Sequence, residues 1–193
     1  MSGAGDTHDL MALPADLPVP EDDGACDHLP GAALPSLPLP ATDGASVDLA
    51  APHAGRTVVF AYPRTGRPGT GPTPGWDQIP GARGCTPESC GFRDHHAELC
   101  GLGARVFGLS TQSTAEQREM VARLGAPYAV LSDADLGLCR ALDLPTFEFA
   151  GRVLVKRLTL VIREARIEHV FYPVFPPDTH AGEVVRWLSD NPL

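Results

Sequence analysis

The five consecutive apolar residues Val58-Val59-Phe60-Ala61-Tyr62 constrain the fold of this chain more than any other segment. A half-exposed strand alternates apolar and polar residues, whereas a strand buried on both faces is an unbroken apolar run. A strand of the second kind lies inside a sheet that is covered by other elements on both sides. The run therefore predicts the central strand of a layered α/β domain, and 193 residues are enough for one such domain with a sizeable core.

The segments around this strand alternate between strand and helix patterns. Strands are predicted at residues 106 to 109, 128 to 131, within 147 to 162 and 167 to 172, and helices at 86 to 100, 114 to 124, 136 to 142 and 181 to 189. Ser113 or Thr114 is the expected N-cap of the second helix, and Gly125 follows its end. Before the central strand, Asp43-Gly44 between short apolar segments predicts a β-hairpin. Together these elements predict a mixed sheet with helices on both faces.

Two cysteines stand five residues apart in the segment Gly84-Cys85-Thr86-Pro87-Glu88-Ser89-Cys90. A loop rich in Gly and Pro precedes the segment and an amphipathic run follows it, so Cys85 is expected at a helix N-terminus, where Pro87 fits the first turn. Free backbone amides and the helix dipole favour an anion there, which lowers the pKa of a thiol. The thiolate is the nucleophilic form, and the segment therefore predicts a thiol redox site.

Extended to Asp94, this segment resembles the signature of the peroxiredoxins, specifically the Q-type or bacterioferritin-comigratory-protein group of atypical two-cysteine enzymes. The Gly-Cys-Thr-x-Glu-x-Cys-x-Phe-Arg-Asp run of that group is present as residues 84 to 94, its Tyr-Pro dipeptide as Tyr62-Pro63, and its strand arginine as Arg157. The resemblance covers residues 30 to 190. It implies a thioredoxin-like fold, with a central mixed β-sheet flanked by helices, for residues 29 to 193. Residues 1 to 28, rich in Ala, Pro, Gly and Asp, are expected to be a mobile extension or one laid over the surface.

The resemblance also implies an activity, that of a thiol-dependent peroxidase for hydrogen peroxide and organic hydroperoxides. Cys85 would be the peroxidatic cysteine, which becomes a sulfenic acid, and Cys90 the resolving cysteine, which closes an intramolecular disulfide. Arg157 would be the cation beside the thiolate. The residues that would contact the substrate are Thr86, Glu88, Tyr62 and Pro63. Thioredoxin or a similar dithiol would reopen the disulfide, so no bound cofactor is required, and the family implies a monomer.

One position departs from the family pattern. A Thr three residues before the peroxidatic Cys helps to position the peroxide oxygens in the family, and Ala82 stands in its place here. Either another hydroxyl substitutes, from Thr86 or from the preceding loop, or the site works with backbone amides and Arg157 alone.

Several features of this region have simpler explanations. By itself, Arg157 on a strand is more often a solvated charge, and Glu88 is equally well explained as stabilising the first turn of the helix. Cys90 is identified as a resolving thiol by the resemblance only. Cys26, Cys100 and Cys139 are expected to be incidental thiols.

Other classes of protein also use paired cysteines. A dithiol reductase for proteins would carry Cys-x-x-Cys, which is missing from the sequence. A non-catalytic peroxide sensor or holdase could use the same pair and stays open. A metal site is disfavoured, because His95 and His96 are adjacent and point about 100° apart on a helix, whereas zinc ligands are usually spaced more widely.

The loop of residues 64 to 84, with four prolines and six glycines, is longer than an ordinary connection. It is either an inserted surface loop or a wall of the site. In the second case Trp76, Asp77 and Ile79 pack beside Cys85 and shape the peroxide entrance.

Composition excludes some partners. A formal charge of −9 and a pI near 5.1 argue against nucleic acid or an anionic membrane, which require clustered Lys and Arg. The first ten residues lack the pattern of a signal peptide, and no apolar run approaches bilayer length, so a cytoplasmic protein is expected. Five cysteines are too few for a disulfide scaffold and indicate reduced thiols.

Overall fold

The computed structural model describes residues 10 to 70 and 73 to 193. The strands are β1 (Pro38–Pro40), β2 (Ser46–Asp48), β3 (Arg56–Ala61), β4 (Ala104–Ser110), β5 (Ala129–Ser132), β6 (Thr146–Phe149), β7 (Arg152–Val155), β8 (Leu158–Arg163) and β9 (Arg166–Phe171). The helices are α1 (Cys85–Asp94), α2 (His96–Gly101), α3 (Thr114–Leu124), α4 (Gly137–Ala141) and α5 (His180–Asp190). A short 3₁₀ turn at Trp76–Gln78 lies in the long loop before α1.

The central sheet has five strands in the order β5-β4-β3-β8-β9. The β3, β4 and β5 strands are parallel, and β8 pairs antiparallel with both β3 and β9. The β3 strand is in the middle, and all six of its residues are buried. The mixed central sheet predicted from the sequence is confirmed.

The side chains of β3 alternate between two cores. Val58 and Phe60 point into a core shared with α1, α2, α3 and α5, whereas Val59 and Ala61 point into a core shared with the β1–β2 hairpin and α4. Helices thus lie on both faces of the sheet, as predicted, although α4 is the one helix of the described residues that contributes to the second core. On the other face a hairpin and residues from 26 to 34 provide most of the cover, because Leu29 and Leu34 are buried there.

Helix ends follow local capping chemistry. The α3 helix has the predicted bounds, and Ser113 caps it in a reciprocal capping box with Glu116, while Gly125 ends it in the left-handed conformation. The predicted helix over residues 86 to 100 is wrong in one respect. It is interrupted at His95, whose φ of −92° and ψ of 3° are not helical, so that α1 and α2 are separate helices.

The described part of the extension runs over the surface of the domain. We call residues 10 to 23 the N-terminal strap. Its end is held by Asp23, which accepts hydrogen bonds from Lys156 Nζ at 2.9 Å and Tyr172 Oη at 2.8 Å. Further on, His28 Nε2 lies 2.9 Å from the carbonyl oxygen of Leu142. Residues 1 to 9, for which no signal peptide was predicted, lie outside the described residues. Within the described ranges, no helix has the length and apolarity that a membrane crossing requires.

Candidate active site

Cys85 is the first residue of α1, as the sequence predicts. The turn before it depends on Gly84, which has a φ of 105°. A Cβ atom at this position would lie 2.3 Å from Cγ of Pro177. Both the backbone conformation and the lack of space therefore require glycine, and the turn fixes where the helix begins and which way the Cys85 sulfur points.

Arg157 brings its guanidinium to the Cys85 sulfur. Its Nη2 donates to Cys85 Sγ at 3.2 Å and to the carbonyl oxygen of Ala82 at 3.2 Å, and its Nη1 donates to Glu88 Oε2. The side chains of Arg157 and Glu88 are 1% and 0% exposed, so the pair is fully desolvated. The structure therefore brings together Cys85, Glu88 and Arg157, and Arg157 is not a solvated charge.

Opposing effects act on the acidity of Cys85. Burial raises the pKa of the thiol, while the Arg157 guanidinium lowers it, Glu88 raises it, and the backbone amide of Arg64 lowers it. The net direction is upward in this closed site, whereas the sequence led us to expect a lowered pKa. The difference arises because Cys85 is only 4% exposed, which a motif at a helix start does not reveal. Burial likewise raises the pKa of Glu88 to about 7, against the effect of Arg157.

Cys90 lies in the same helix, and both cysteines are free thiols. In a regular α-helix, residues five apart are separated by about 7.5 Å of rise, whereas the Cα atoms of a disulfide are about 4.4 to 6.8 Å apart. A Cys85–Cys90 bridge therefore requires α1 to unwind. Cys90 is also covered by the strap, since its Sγ lies 3.8 Å from the Met11 Sδ.

A cavity of about 240 Å³ opens beside Cys85. Cys85 and Thr86 lie in its wall with Trp76, which confirms that the long loop reaches the site. The other residues lining it are Leu10, Arg64, Thr65, Gly66, Arg67, Thr70, Thr73, Arg83, Gly84, Gln112, Glu116, Glu119 and Arg152.

The remaining residues predicted to contact substrate are not in that wall. Tyr62, Pro63 and Glu88 are buried behind it, with Glu88 bound to Arg157. From the long loop, Asp77 pairs with Arg83 at 3.5 Å, and Ile79 packs against the cluster around Trp76 instead of the cavity.

Ala82 takes part in the site through its backbone. Its carbonyl oxygen accepts from Arg157 Nη2 and lies 3.5 Å from the Cys85 sulfur. Besides Thr86, the hydroxyls in the cavity wall belong to Thr65, Thr70 and Thr73. The loop therefore supplies several hydroxyls to the wall of the cavity.

Sequence reasoning missed the arginines of the cavity wall, Arg64, Arg67, Arg83 and Arg152. Arg64 had a usable signal, because it directly follows the Tyr62-Pro63 dipeptide at the end of the central strand. Arg152 had none, because it lies in the distant β7 strand and reaches the site by pairing with Glu116 at 2.8 Å.

Comparison with known proteins places the site in a family. The redoxin family model matches residues 29 to 185. The chain is 28% identical over 165 residues to peroxiredoxin Bcp of Escherichia coli K12, which covers 83% of this chain and 96% of that protein. It is also 28% identical over 160 residues to the chloroplastic peroxiredoxin Q of Oryza sativa subsp. japonica, covering 82% of this chain and 66% of the rice protein, slightly less than two thirds of its length.

A solved structure gives the same result for the fold. The peroxidoxin BcpB of Mycobacterium tuberculosis superposes with a TM-score of 0.68 at 26% identity, covering 86% of this chain and all of that one. The thioredoxin-like fold expected from the sequence is confirmed. With its matched redoxin residues and these relatives, the chain belongs to the redoxin family, in the peroxiredoxin Q/Bcp group.

Proposed function

We propose that the protein is a thiol-dependent peroxidase that reduces hydrogen peroxide and organic hydroperoxides. The observation that carries the proposal is the Arg157 guanidinium 3.2 Å from the Cys85 sulfur, in the wall of a cavity large enough for a hydroperoxide. A solved structure of a relative from Xanthomonas campestris is described in terms of alkyl peroxide reduction, which agrees with this class of substrate.

The first step is the attack of the Cys85 thiolate on the terminal oxygen of the hydroperoxide. The S–O bond forms as the O–O bond breaks, the sulfur is oxidised to sulfenic acid, and the alkoxide or hydroxide leaves as alcohol or water after taking up a proton. Arg157 serves this step by attracting the anionic sulfur and the departing oxygen. The cost of burying the thiolate is offset in part by the same guanidinium.

In the second step the Cys90 thiolate attacks the sulfenic sulfur and releases water, which gives the intramolecular disulfide. The regular α1 helix must unwind for this step. In the third step a dithiol, thioredoxin or a similar protein, reopens the disulfide by exchange and is itself oxidised. Nothing in the cycle requires a bound cofactor. The cytoplasmic location, the monomeric state and a boundary at residue 29 stay predictions.

Turnover with a thioredoxin regenerating system tests the proposal. Cys85→Ser is expected to abolish peroxide consumption, because no other thiol of the described residues has a guanidinium on its sulfur. Cys90→Ser is expected to form one equivalent of sulfenic acid and then over-oxidise, and Cys100→Ser, the exposed thiol, is the matched control with full turnover.

Two outcomes contradict the proposal. Residual turnover in Cys85→Ser would show that another group reduces peroxide. Stoichiometric oxidation of the wild type without turnover would favour the sensor or holdase. Mass spectrometry of the oxidised wild type adds a check on the resolving residue, because a dominant bridge from Cys85 to Cys26 or Cys100 would exclude Cys90.

A further inference from the structure

The cavity beside Cys85 is larger than hydrogen peroxide requires. Its volume is about 240 Å³, and one water molecule needs only about 10 to 15 Å³ of the same kind of volume. Trp76 and Leu10 supply apolar surface to its wall. The cavity can therefore receive the body of an organic hydroperoxide, which is the starting point of an inference that rests on the proposed function.

The charges of the cavity wall are mostly neutralised by one another. Glu116 forms a bidentate salt bridge with Arg152, with N···O distances of 2.8 and 3.2 Å. Glu119 accepts from Arg123 at 2.8 Å, and Arg83 pairs with Asp77 outside the wall. The carboxylates that line the cavity are thus engaged by arginines other than Arg64.

Among residues 10 to 70 and 73 to 193, neither Arg64 nor the exposed Arg67 of the same wall makes an ion pair. Arg64 differs from Arg67 in its surroundings. It is half-buried, and its guanidinium lies 4.5 Å from the ring centre of Trp76 and 5.1 Å from that of Phe149. Its Nη2 donates to Thr73 Oγ1 at 2.6 Å. The two aromatic faces and one hydroxyl fix the guanidinium plane but leave further N–H donors without a carboxylate.

The position of Arg64 relates this cation to the reacting sulfur. Its backbone amide faces the Cys85 thiol, while its side chain lies in the cavity wall. A partly desolvated guanidinium is a strong partner for a carboxylate, because charge-assisted hydrogen bonds strengthen where water is excluded.

We propose that Arg64 is a specificity-determining residue, and that it binds the carboxylate of organic hydroperoxides that carry one on an apolar body. Trp76 and Leu10 contact that body, and the hydroperoxide group reaches Cys85. The aromatic rings hold the guanidinium in place before the substrate binds, so little side-chain freedom is lost on binding.

A matched pair of substrates tests this proposal, cumene hydroperoxide and the same molecule with a para-carboxylate. The measured quantity is the ratio of kcat/KM for the carboxylate to that for the neutral compound. We expect the wild type to prefer the carboxylate by about tenfold or more, as for one charge-assisted hydrogen bond. Arg64→Met is expected to remove the preference, and Arg64→Lys to restore part of it, since lysine keeps the charge without the fork.

Two control variants distinguish a specific role of Arg64 from a general effect of positive charge. Arg67→Met removes an exposed arginine of the same wall, and Arg186→Met removes an exposed arginine of α5 away from it. Both are expected to keep most of the preference. A larger loss in Arg67→Met than in Arg64→Met would overturn the assignment, as would a wild type with no preference.

A binding measurement makes the result independent of turnover. In the Cys85→Ser protein, calorimetry with the unreactive alcohol of the carboxylate compound is expected to show binding that Arg64→Met weakens by about tenfold. Equal affinity in both proteins, each shown folded by its circular dichroism, would overturn the proposal. A wild type that does not turn over any peroxide would refute the proposed function instead. Failure of the Arg64 proposal and failure of the proposed function are thus distinguishable.

Discussion

The β3 strand and the α1 helix are both buried, but by different kinds of partner. All six residues of β3 and seven of the ten of α1 are buried. Strands of the same sheet pair with β3 on both sides. The α1 helix packs on the sheet through Phe92 and is otherwise covered by the strap and by α5, where Gly91 packs close to Ala181. Burial alone therefore does not show which element can move, whereas the nature of the cover does.

The largest effect on stability is expected from a substitution in the β3 strand. Phe60 of β3 stacks on Phe92 of α1 at 4.1 Å between ring centres with an interplanar angle of 6°. Phe60→Ala should lower the free energy of unfolding by about 3 to 5 kcal/mol, because it leaves a cavity in a closely packed core. Val19→Ala in the strap, where the side chain is 62% exposed, should change it by less than about 0.5 kcal/mol. Denaturant unfolding of both variants measures the two changes. Equal losses in the free energy of unfolding would contradict the expected difference between β3 and the strap.

Hydrogen exchange compares the two regions within one molecule. Because the disulfide cannot form in a regular helix, amides of Cys85–Asp94 should lose most of their protection in the oxidised protein. Amides of Arg56–Ala61 should exchange as slowly as before. Equal protection of α1 in both redox states would mean that Cys90 is not the partner of Cys85.

Arg157 joins the two regions, because it directly precedes β8 and contacts the first residue of α1. Its guanidinium lowers the pKa of Cys85, so Arg157→Met should raise that pKa further and slow alkylation of the thiol at a fixed pH. The measurement is the pH dependence of alkylation in a protein whose other cysteines are replaced by serine.

The fold of that variant needs its own control. Removing Arg157 leaves Glu88 buried without its cation. The double variant Arg157→Met/Glu88→Gln removes both charges. It should show the same upward shift in the pKa of Cys85 if the loss of Arg157, and not the unpaired Glu88, causes that shift. An unchanged alkylation profile in both variants would show that Arg157 does not act on the sulfur in solution.

The smallest effect is expected from the strap. Met11 covers Cys90 but is itself 50% exposed, so Met11→Ala should cost less than about 1 kcal/mol. Alkylation of Cys90 in the reduced protein should nevertheless become severalfold faster, while that of Cys139, a buried residue of α4, stays the same. If both thiols respond equally, the variant has loosened the whole domain and the strap is not a separate cover.

The sequence was sufficient where a local pattern determines the structure. The unbroken apolar run of β3, the Ser113 cap of α3 and the helix start at Cys85 all depend on neighbouring residues. The interruption at His95 and the burial of Glu88 with Arg157 depend on contacts between distant segments. The periodicity of apolar residues and short local motifs do not encode such contacts. For this reason most residues of the cavity wall were not predicted.

The close fit between the strap and the loops beneath it also constrains how such sequences can vary. Gly66 has no left-handed φ, and the nearest atom to a Cβ built there is Cδ2 of Leu10, at 3.1 Å. The strap, and not the backbone conformation, thus favours glycine at this position. A relative without a strap is expected to accept larger residues at position 66, and a change at position 10 to a smaller residue should accompany such a replacement where the strap is retained. Residues 10 and 66 are therefore expected to vary together during evolution.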